Sequence, residues 1–175
     1  FTGKGDKGTT TAFGCNQQRI SKSSELPEAL GSLDELNAFL GFVKMRAAGE
    51  PRIASAVRDA QETLFIVQAE VAGAEKKVGE EAVKNIENLV NEIEREIPKV
   101  KGFSIAGGTE LSAMLDVART LARRAERRVT AVKELKLREL PDETMSYLNR
   151  LSSLLFALAR LANHIAGVKE ENPKY

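Results

Sequence analysis

The start of the chain contains the residue types that bind phosphate. Residues 2–11 are Thr-Gly-Lys-Gly-Asp-Lys-Gly-Thr-Thr-Thr, and Lys22 follows. Glycine lets backbone amides approach phosphate oxygens, threonine hydroxyls donate further hydrogen bonds, and lysine supplies positive charge. The spacing fits neither a dinucleotide-binding fingerprint nor a P-loop, and no strand pattern precedes it. This segment alone is therefore consistent with a polyphosphate site and equally with a flexible terminus.

A second candidate anion site is a run of arginines. Arg119, Arg123 and Arg127 are four residues apart, and Arg124 and Arg128 form a neighbouring stripe. On a helix the first three drift by only about 80° over two turns, so their guanidinium groups form one ridge that suits phosphate or carboxylate oxygens. A solvated, salt-bridged face is the alternative. Five arginines and no lysine within residues 119–128 favour anion recognition.

Polar residues also interrupt an apolar pattern near the C-terminus. Asn149 and Ser152 lie three residues apart on an otherwise apolar helix face. They could line a site or form a hydrogen bond between helices, and the spacing alone does not separate these readings. His164 stands alone near a helix end, where we expect a capping or surface role rather than catalysis or metal binding.

Five helical segments position these residues. Apolar residues recur at helical spacing over about 25–48, 51–74, 80–96, 109–138 and 141–166, with Ser24 and Thr109 as expected N-caps and Pro98 as a stop. No segment alternates convincingly enough to predict a strand. We predict an all-α fold, a five-helix bundle in a single domain: an arm at 1–23, the bundle at 24–168 and a tail at 169–175.

Composition excludes several classes of function. The chain has 26 Lys and Arg against 25 Asp and Glu, a net charge of +1, so it lacks the global field that recruits nucleic acid or an anionic membrane. Its single cysteine, Cys15, cannot form an internal disulfide, and no cysteine pair has zinc-ligand spacing. No apolar run approaches the roughly 20 residues that span a bilayer. We expect a soluble, cytoplasmic protein.

Taken together, these residues resemble the corrinoid adenosyltransferases of the propanediol-utilisation type. The matching blocks are residues 2–11, Lys22, 28–37 (Glu-Ala-Leu-Gly-Ser-Leu-Asp-Glu-Leu-Asn), Phe103 with Gly107-Gly108, 119–129 and 149–152 (Asn-Arg-Leu-Ser). They occur in the family's order and span almost the whole chain. Three positions depart from the family pattern: Gly3-Lys4 stands for Lys-Thr, Ala106 for proline and Ser153 for aspartate.

The resemblance implies a reaction and an assembly. The family folds as a five-helix bundle and forms a homotrimer, with each ATP at a subunit interface under the N-terminal arm. Cobalt in the Co(I) state of a reduced corrinoid, such as cobalamin, attacks the 5′ carbon of ATP, and triphosphate leaves. Magnesium bridges phosphate oxygens rather than binding protein side chains. A corrinoid reductase and an adenosylcobalamin-dependent mutase are implied as further partners.

The resemblance also implies roles for individual residues. Those expected to bind the nucleotide are Thr2, Gly3, Lys4, Gly5, Asp6, Gly8, Thr10, Thr11, Lys22, Arg123, Arg124, Glu126, Arg127 and Asn149. Arg123 and Arg127 would also serve catalysis by positioning the triphosphate. Asp34 and Arg119 match an interhelical or intersubunit salt bridge that shapes the corrinoid pocket. Phe103 matches an aromatic that displaces the lower axial ligand of cobalt and so eases reduction of Co(II). An ATP-sensing regulatory bundle without catalysis is the alternative function.

Overall fold

The computed structural model describes residues 2–13, 18–100 and 102–174. The helices are α1 (Glu25–Arg46), α2 (Pro51–Ala72), α3 (Glu80–Glu96), α4 (Glu110–Glu134) and α5 (Asp142–Ile165). Two short strands precede them, β1 (Thr9–Thr11) and β2 (Arg19–Ser21). The predicted five-helix bundle is confirmed.

The two-stranded hairpin corrects the expectation that the chain contains no strand. β1 and β2 pair antiparallel, with Thr10 opposite Ile20. Each strand has only three residues, so no alternation of apolar and polar side chains could develop. Ile20 and Ala12 pack against the core and hold the hairpin to the bundle. Cys15, about which the sequence suggested only an unpaired thiol, lies outside the described residues.

Helix α5 occupies the centre of the bundle. It packs against α4, α3 and α2, while α1 packs against α4 and α2. All seven residues from Ala157 to Asn163 are buried, because neighbours surround this part of the helix on every side. Leu151, Leu155 and Leu158 are fully inaccessible to solvent, and truncating a leucine at such a site costs about 2–5 kcal/mol. Within the described ranges, no helix is long and apolar enough to cross a membrane.

Some of the predicted helix boundaries are confirmed, and others are wrong. Thr109 caps α4 as expected, because its side chain accepts a hydrogen bond from the backbone N–H of Ser112. Ser24 stands at the N-cap of α1, but its hydroxyl donates to the carbonyl of Ser21 instead. Helix α4 ends at Glu134, about four residues before the expected end, since Lys136 adopts a φ of 55° that interrupts the helix.

Ion pairs connect α1 to α4 along their length. Arg128 lies 3.6 Å from Glu28, Arg124 pairs with Glu35, and Arg46 pairs with Glu110. The pairs run in opposite directions along the two helices, so α1 and α4 are antiparallel. All these side chains are substantially exposed, and each pair therefore contributes little to stability. Their main effect is on the alignment of the helices.

Tyr147 belongs to α5 and forms part of the floor of a groove between α2 and α3. It is 3% exposed, and the groove is also lined by Asp59, Thr63 and Asn85. Burial raises the pKa of Tyr147 to about 12, because the phenolate would lose its hydration there. The phenol therefore stays protonated and supports packing in this part of the bundle.

Candidate functional site

The N-terminal arm, residues 2–13 with 18–23, folds into consecutive tight turns before β1. The amide of Asp6 donates to the carbonyl of Gly3 and that of Gly8 to the carbonyl of Gly5, both at 3.1 Å. Gly3 and Gly8 have φ of 64° and 71°, which glycine adopts without strain. The side chain of Lys22 reaches over the loop, since a Cβ built on Gly5 would lie 3.1 Å from its Nζ. The predicted lysine thus lies directly beside the predicted phosphate loop.

Arg19 holds this loop closed, although no motif in the sequence includes it. Its Nη2 donates to the carbonyls of Lys4 and Thr9, both at 2.6 Å, and its Nε donates to the hydroxyl of Thr9 at 2.8 Å. One planar guanidinium therefore connects the two sides of the glycine loop. Because two of its three acceptors are backbone carbonyls, no motif of side chains could reveal this role.

Arg138, which the sequence reasoning also missed, anchors the arm to the bundle. Its guanidinium donates to the carbonyl of Phe13 at 3.2 Å and to that of Ala72, at the end of α2, at 3.3 Å. It lies close over Gly73, where an added Cβ would be 3.1 Å from Nε. Gly73 ends α2 in the left-handed conformation with a φ of 103°. Three parts of the chain, each 59 or more positions from the next, thus meet at one guanidinium.

The arginines of α4 lie on two faces of the helix that have different partners. Arg123 and Arg127 are exposed, and Arg127 donates to the carbonyl of Arg123 at 3.0 Å. Arg124, also predicted to bind the nucleotide, is engaged with Glu35 of α1. The guanidinium groups of Arg123 and Arg127 therefore face solvent and are available to an anion, whereas Arg124 contributes to the packing of α1 on α4.

Glu126 and Asn149, predicted members of the same site, do meet. Asn149 donates from Nδ2 to Glu126 at 2.9 Å and accepts from Arg150 at 2.7 Å. Arg150 also bonds Glu87 of α3 at 2.9 Å. This chain joins α4, α5 and α3, so the interhelical alternative left open for Asn149 is present in the structure. Ser152 is buried and donates to the carbonyl of Asn149 at 3.1 Å.

Within the single chain, Arg119 bonds to its own helix. Its Nε donates to Asp116 at 2.9 Å, and its guanidinium carbon lies 6.0 Å from the ring centre of Phe156. Asp34 is an exposed residue of α1. The expected pair between Asp34 and Arg119 is therefore not formed inside the chain, and its intersubunit form stays a prediction.

The loop between α3 and α4 presents an apolar surface to solvent. Phe103 is 79% exposed, and Val100 and Ile105 are also exposed. Large apolar side chains that stand together in solvent mark a contact surface. A cleft of about 270 Å³ lies beside the loop, between it and the end of α5, and includes Arg160 and His164. His164 is exposed at the end of α5, consistent with the surface role predicted for it.

Asn163 fixes the far end of this loop. Its Oδ1 accepts from the amide and the hydroxyl of Thr109, at 2.9 and 3.2 Å, and its Nδ2 donates to the carbonyl of Gly107 at 2.9 Å. Gly108 has a φ of 100°, and a Cβ there would lie 2.5 Å from Asn163 Oδ1. This close approach explains why a glycine follows Gly107, a pair the sequence identified only through resemblance.

The described residues contain no group of three or more His, Cys, Asp or Glu side chains arranged to hold a metal ion. The chemistry that these residues offer is recognition of anions by amides and guanidinium groups, and contact with an apolar molecule by the loop. The arrangement therefore defines a helical-bundle protein with one region suited to a polyphosphate and another suited to a large apolar surface.

Comparison with known proteins identifies the family. The model of the cobalamin adenosyltransferase family matches residues 1–162, so the chain belongs to this family. It is 35% identical to the corrinoid adenosyltransferase of Bacillus subtilis over 175 residues, covering 96% of this chain and 88% of that protein. It is 37% identical to a corrinoid adenosyltransferase of Citrobacter freundii, covering 92% and 93%.

A solved structure agrees with this assignment. The chain superposes with a TM-score of 0.88 on a variant of the PduO-type ATP:corrinoid adenosyltransferase from Lactobacillus reuteri complexed with cobalamin and ATP. The two are 29% identical, and the match covers 97% of this chain and 94% of the other. The predicted resemblance to the propanediol-utilisation type is thereby confirmed.

Proposed function

We propose that this chain transfers the 5′-deoxyadenosyl group of ATP to the Co(I) centre of a reduced corrinoid such as cobalamin. A bond forms between cobalt and the 5′ carbon, the bond from that carbon to the triphosphate oxygen breaks, and triphosphate leaves with the electron pair. The observation that carries the proposal is the match, over nearly the whole chain, to a structure complexed with cobalamin and ATP.

The nucleotide side consists of the arm, Lys22 and the exposed arginines of α4. Backbone amides of the glycine loop and the hydroxyls of Thr10 and Thr11 would surround the phosphates, and Lys22 would add charge. Arg123 and Arg127 would stabilise the charge that accumulates on the leaving triphosphate. Magnesium would be carried by ATP rather than by protein side chains, as expected for a hard cation that keeps few protein ligands.

The corrinoid side consists of the loop that carries Phe103. A planar macrocycle offers a broad apolar face, and the exposed aromatic ring matches it in size and chemistry. By occupying the lower face, Phe103 would exclude an axial donor from cobalt, which makes Co(II) easier to reduce. The transfer reaction requires no protein nucleophile, so catalysis rests on positioning of the substrates and on electrostatics.

Completion of the site by a second copy is part of the proposal. α1 exposes Phe42 and Met45, and α4 exposes Val117, an apolar surface suited to subunit contact. We propose a homotrimer in which Asp34 of one subunit meets Arg119 of the next and the arm covers ATP at the interface. Residues 1–23, 24–168 and 169–175 would then act as arm, bundle and tail of one domain in a cytoplasmic enzyme. A corrinoid reductase and a mutase would supply and receive the corrinoid.

A spectrophotometric assay tests the reaction directly. Chemically reduced cob(I)alamin, magnesium and ATP are mixed with the protein, and loss of the Co(I) spectrum is followed. An ATP-dependent, photolabile alkylcobalamin is the expected product. ATP binding without that product would instead support an ATP-sensing module. Light scattering on the same preparation measures the number of subunits, and a monomer at assay concentration would contradict the trimer.

A further inference from the structure

The segment after α5 folds back onto the loop that carries Phe103. Gly167 turns the chain with a φ of 67°, and its amide donates to the carbonyl of His164 at 3.0 Å. The amide of Val168 then donates to the carbonyl of Asn163 at 2.9 Å. These bonds close the end of the helix and direct residues 168–172, here called the return segment, towards the loop.

Two hydrogen bonds join the return segment to the loop itself. The amide of Ile105 donates to the carbonyl of Glu171 at 2.8 Å. The side chain of Asn172 donates from Nδ2 to the carbonyl of Phe103, also at 2.8 Å. The backbone at Phe103 and two residues after it is thus held by residues that follow α5.

A buried arginine connects the same segment to the start of the loop. Arg160 is 7% exposed, and its Nε donates to Glu170 at 2.8 Å. Its Nη2 donates to the carbonyl of Pro98, where α3 gives way to the loop. A buried guanidinium needs its charge paired and its donors satisfied, so Glu170 and Pro98 are held against α5 together.

We propose that Arg160, Glu170 and Asn172 are positioning residues for Phe103 that hold its backbone where the ring can occupy the lower face of the corrinoid. The inference rests on the proposed function. The family model matches residues 1–162, so Arg160 lies inside the matched region and Glu170 and Asn172 lie beyond it. None of the three residues touches the reacting atoms in this role.

Substitutions of Glu170 and Asn172 test the proposal, with their neighbour as control. Glu170→Gln removes the negative charge that pairs with Arg160, and Asn172→Ala removes the amide that donates to the carbonyl of Phe103. Glu171→Ala removes an exposed side chain and keeps the carbonyl that bonds Ile105. Each protein is assayed from cob(I)alamin and, with a reductant, from cob(II)alamin. Because each of the first two substitutions loosens one tether of the loop that carries Phe103, we expect the rate from Co(II) to fall about fivefold and the rate from Co(I) to stay within about twofold.

Hydrogen exchange supplies a readout independent of turnover. The Ile105 amide should exchange about tenfold faster in both variants than in Glu171→Ala, since loop opening becomes easier. Spectra of bound Co(II) should show less of the four-coordinate form. Exchange and spectra that match the control would overturn the proposal, as would an equal loss of both rates together with a lowered melting temperature, which indicates a structural role.

The same experiment separates this proposal from the function on which it rests. If the unsubstituted protein forms no adenosylcobalamin from Co(I), the proposed function fails before any variant is measured. If it does, and the two variants behave like Glu171→Ala, only the positioning role fails.

Discussion

The two regions proposed to meet the substrates are held in different ways. The arm is closed by Arg19, an exposed residue of the arm itself, which bonds mainly to backbone carbonyls. The loop around Phe103 is held by Asn163 and Arg160, which are 6% and 7% exposed on the central helix. The glycine loop of the arm can therefore loosen without disturbing the core, whereas the loop around Phe103 is tied to the core. Substitutions in the arm should therefore change the binding of ATP, whereas substitutions around the Phe103 loop should change folding stability.

The largest expected effect is the loss of Arg127. We expect Arg127→Ala to lower kcat/KM for ATP by about 100-fold or more, because a cation that stabilises the leaving triphosphate is lost. The exposed side chain should leave the melting temperature nearly unchanged. Arg58→Ala, which removes an exposed arginine paired within α2, is the control. Steady-state kinetics with near-normal values for Arg127→Ala would remove this arginine from the site.

Three glycines in one loop provide a graded test of how firmly the loop is tied to the core. Gly108→Ala combines a positive φ with a clash against Asn163, Gly107→Ala has only the positive φ of 125°, and Gly102→Ala meets nothing within 4 Å. We expect the free energy of unfolding to fall by about 2–4 kcal/mol, about 1–2 kcal/mol and less than about 0.5 kcal/mol respectively. Urea denaturation measures all three, and equal values would contradict the tie to Asn163.

Removal of the Phe103 ring should slow the reaction that starts from one oxidation state of the corrinoid and not the other. For Phe103→Ala we expect the rate from cob(II)alamin to fall about tenfold and the rate from chemically reduced cob(I)alamin to change little, because only the first needs the axial ligand displaced. Leu135→Ala, another exposed apolar residue, serves as control. Equal losses from both oxidation states would mean that the ring only binds the corrinoid.

The smallest effect should come from loosening the arm. Arg19→Ala removes three hydrogen bonds within an exposed loop, so we expect the KM for ATP to rise about fivefold without a change in melting temperature. Arg19→Lys keeps the charge but not the planar fork and should recover little of the loss. Full recovery by lysine would show that charge, rather than closure of the loop, is what Arg19 supplies.

The sequence predicted the helices well because their signals are local. Helical spacing of leucines, the cap at Thr109 and the stop at Pro98 each act over a few residues, and they located all five helices. The end of α4 was predicted too late, since Lys136 takes a left-handed conformation that its side chain does not reveal. The hairpin was missed because its strands are short and polar.

The site was predictable only in part. The exposed state of Arg123, Arg127 and Phe103 agrees with the roles that resemblance implied, although those roles stay predictions. Arg19 and Arg138 act on backbone carbonyls far away in the sequence, and such acceptors carry no residue signature. Arg124 matches the motif but is engaged with Glu35, which only the packing of α1 on α4 could disclose.

The ion pairs between α1 and α4 set the rotation of α4 about its own axis. On α4, Glu110, Arg124 and Arg128 lie within about 40° of one another, and on α1 their partners lie within about 20°. Ion pairs along one such line favour one rotation of the helix over the others. Arg123 and Arg127 are displaced from it by about 100°, so these pairs define the direction in which both guanidinium groups point. Ion pairs that contribute little to stability can thus still influence the direction in which neighbouring side chains point.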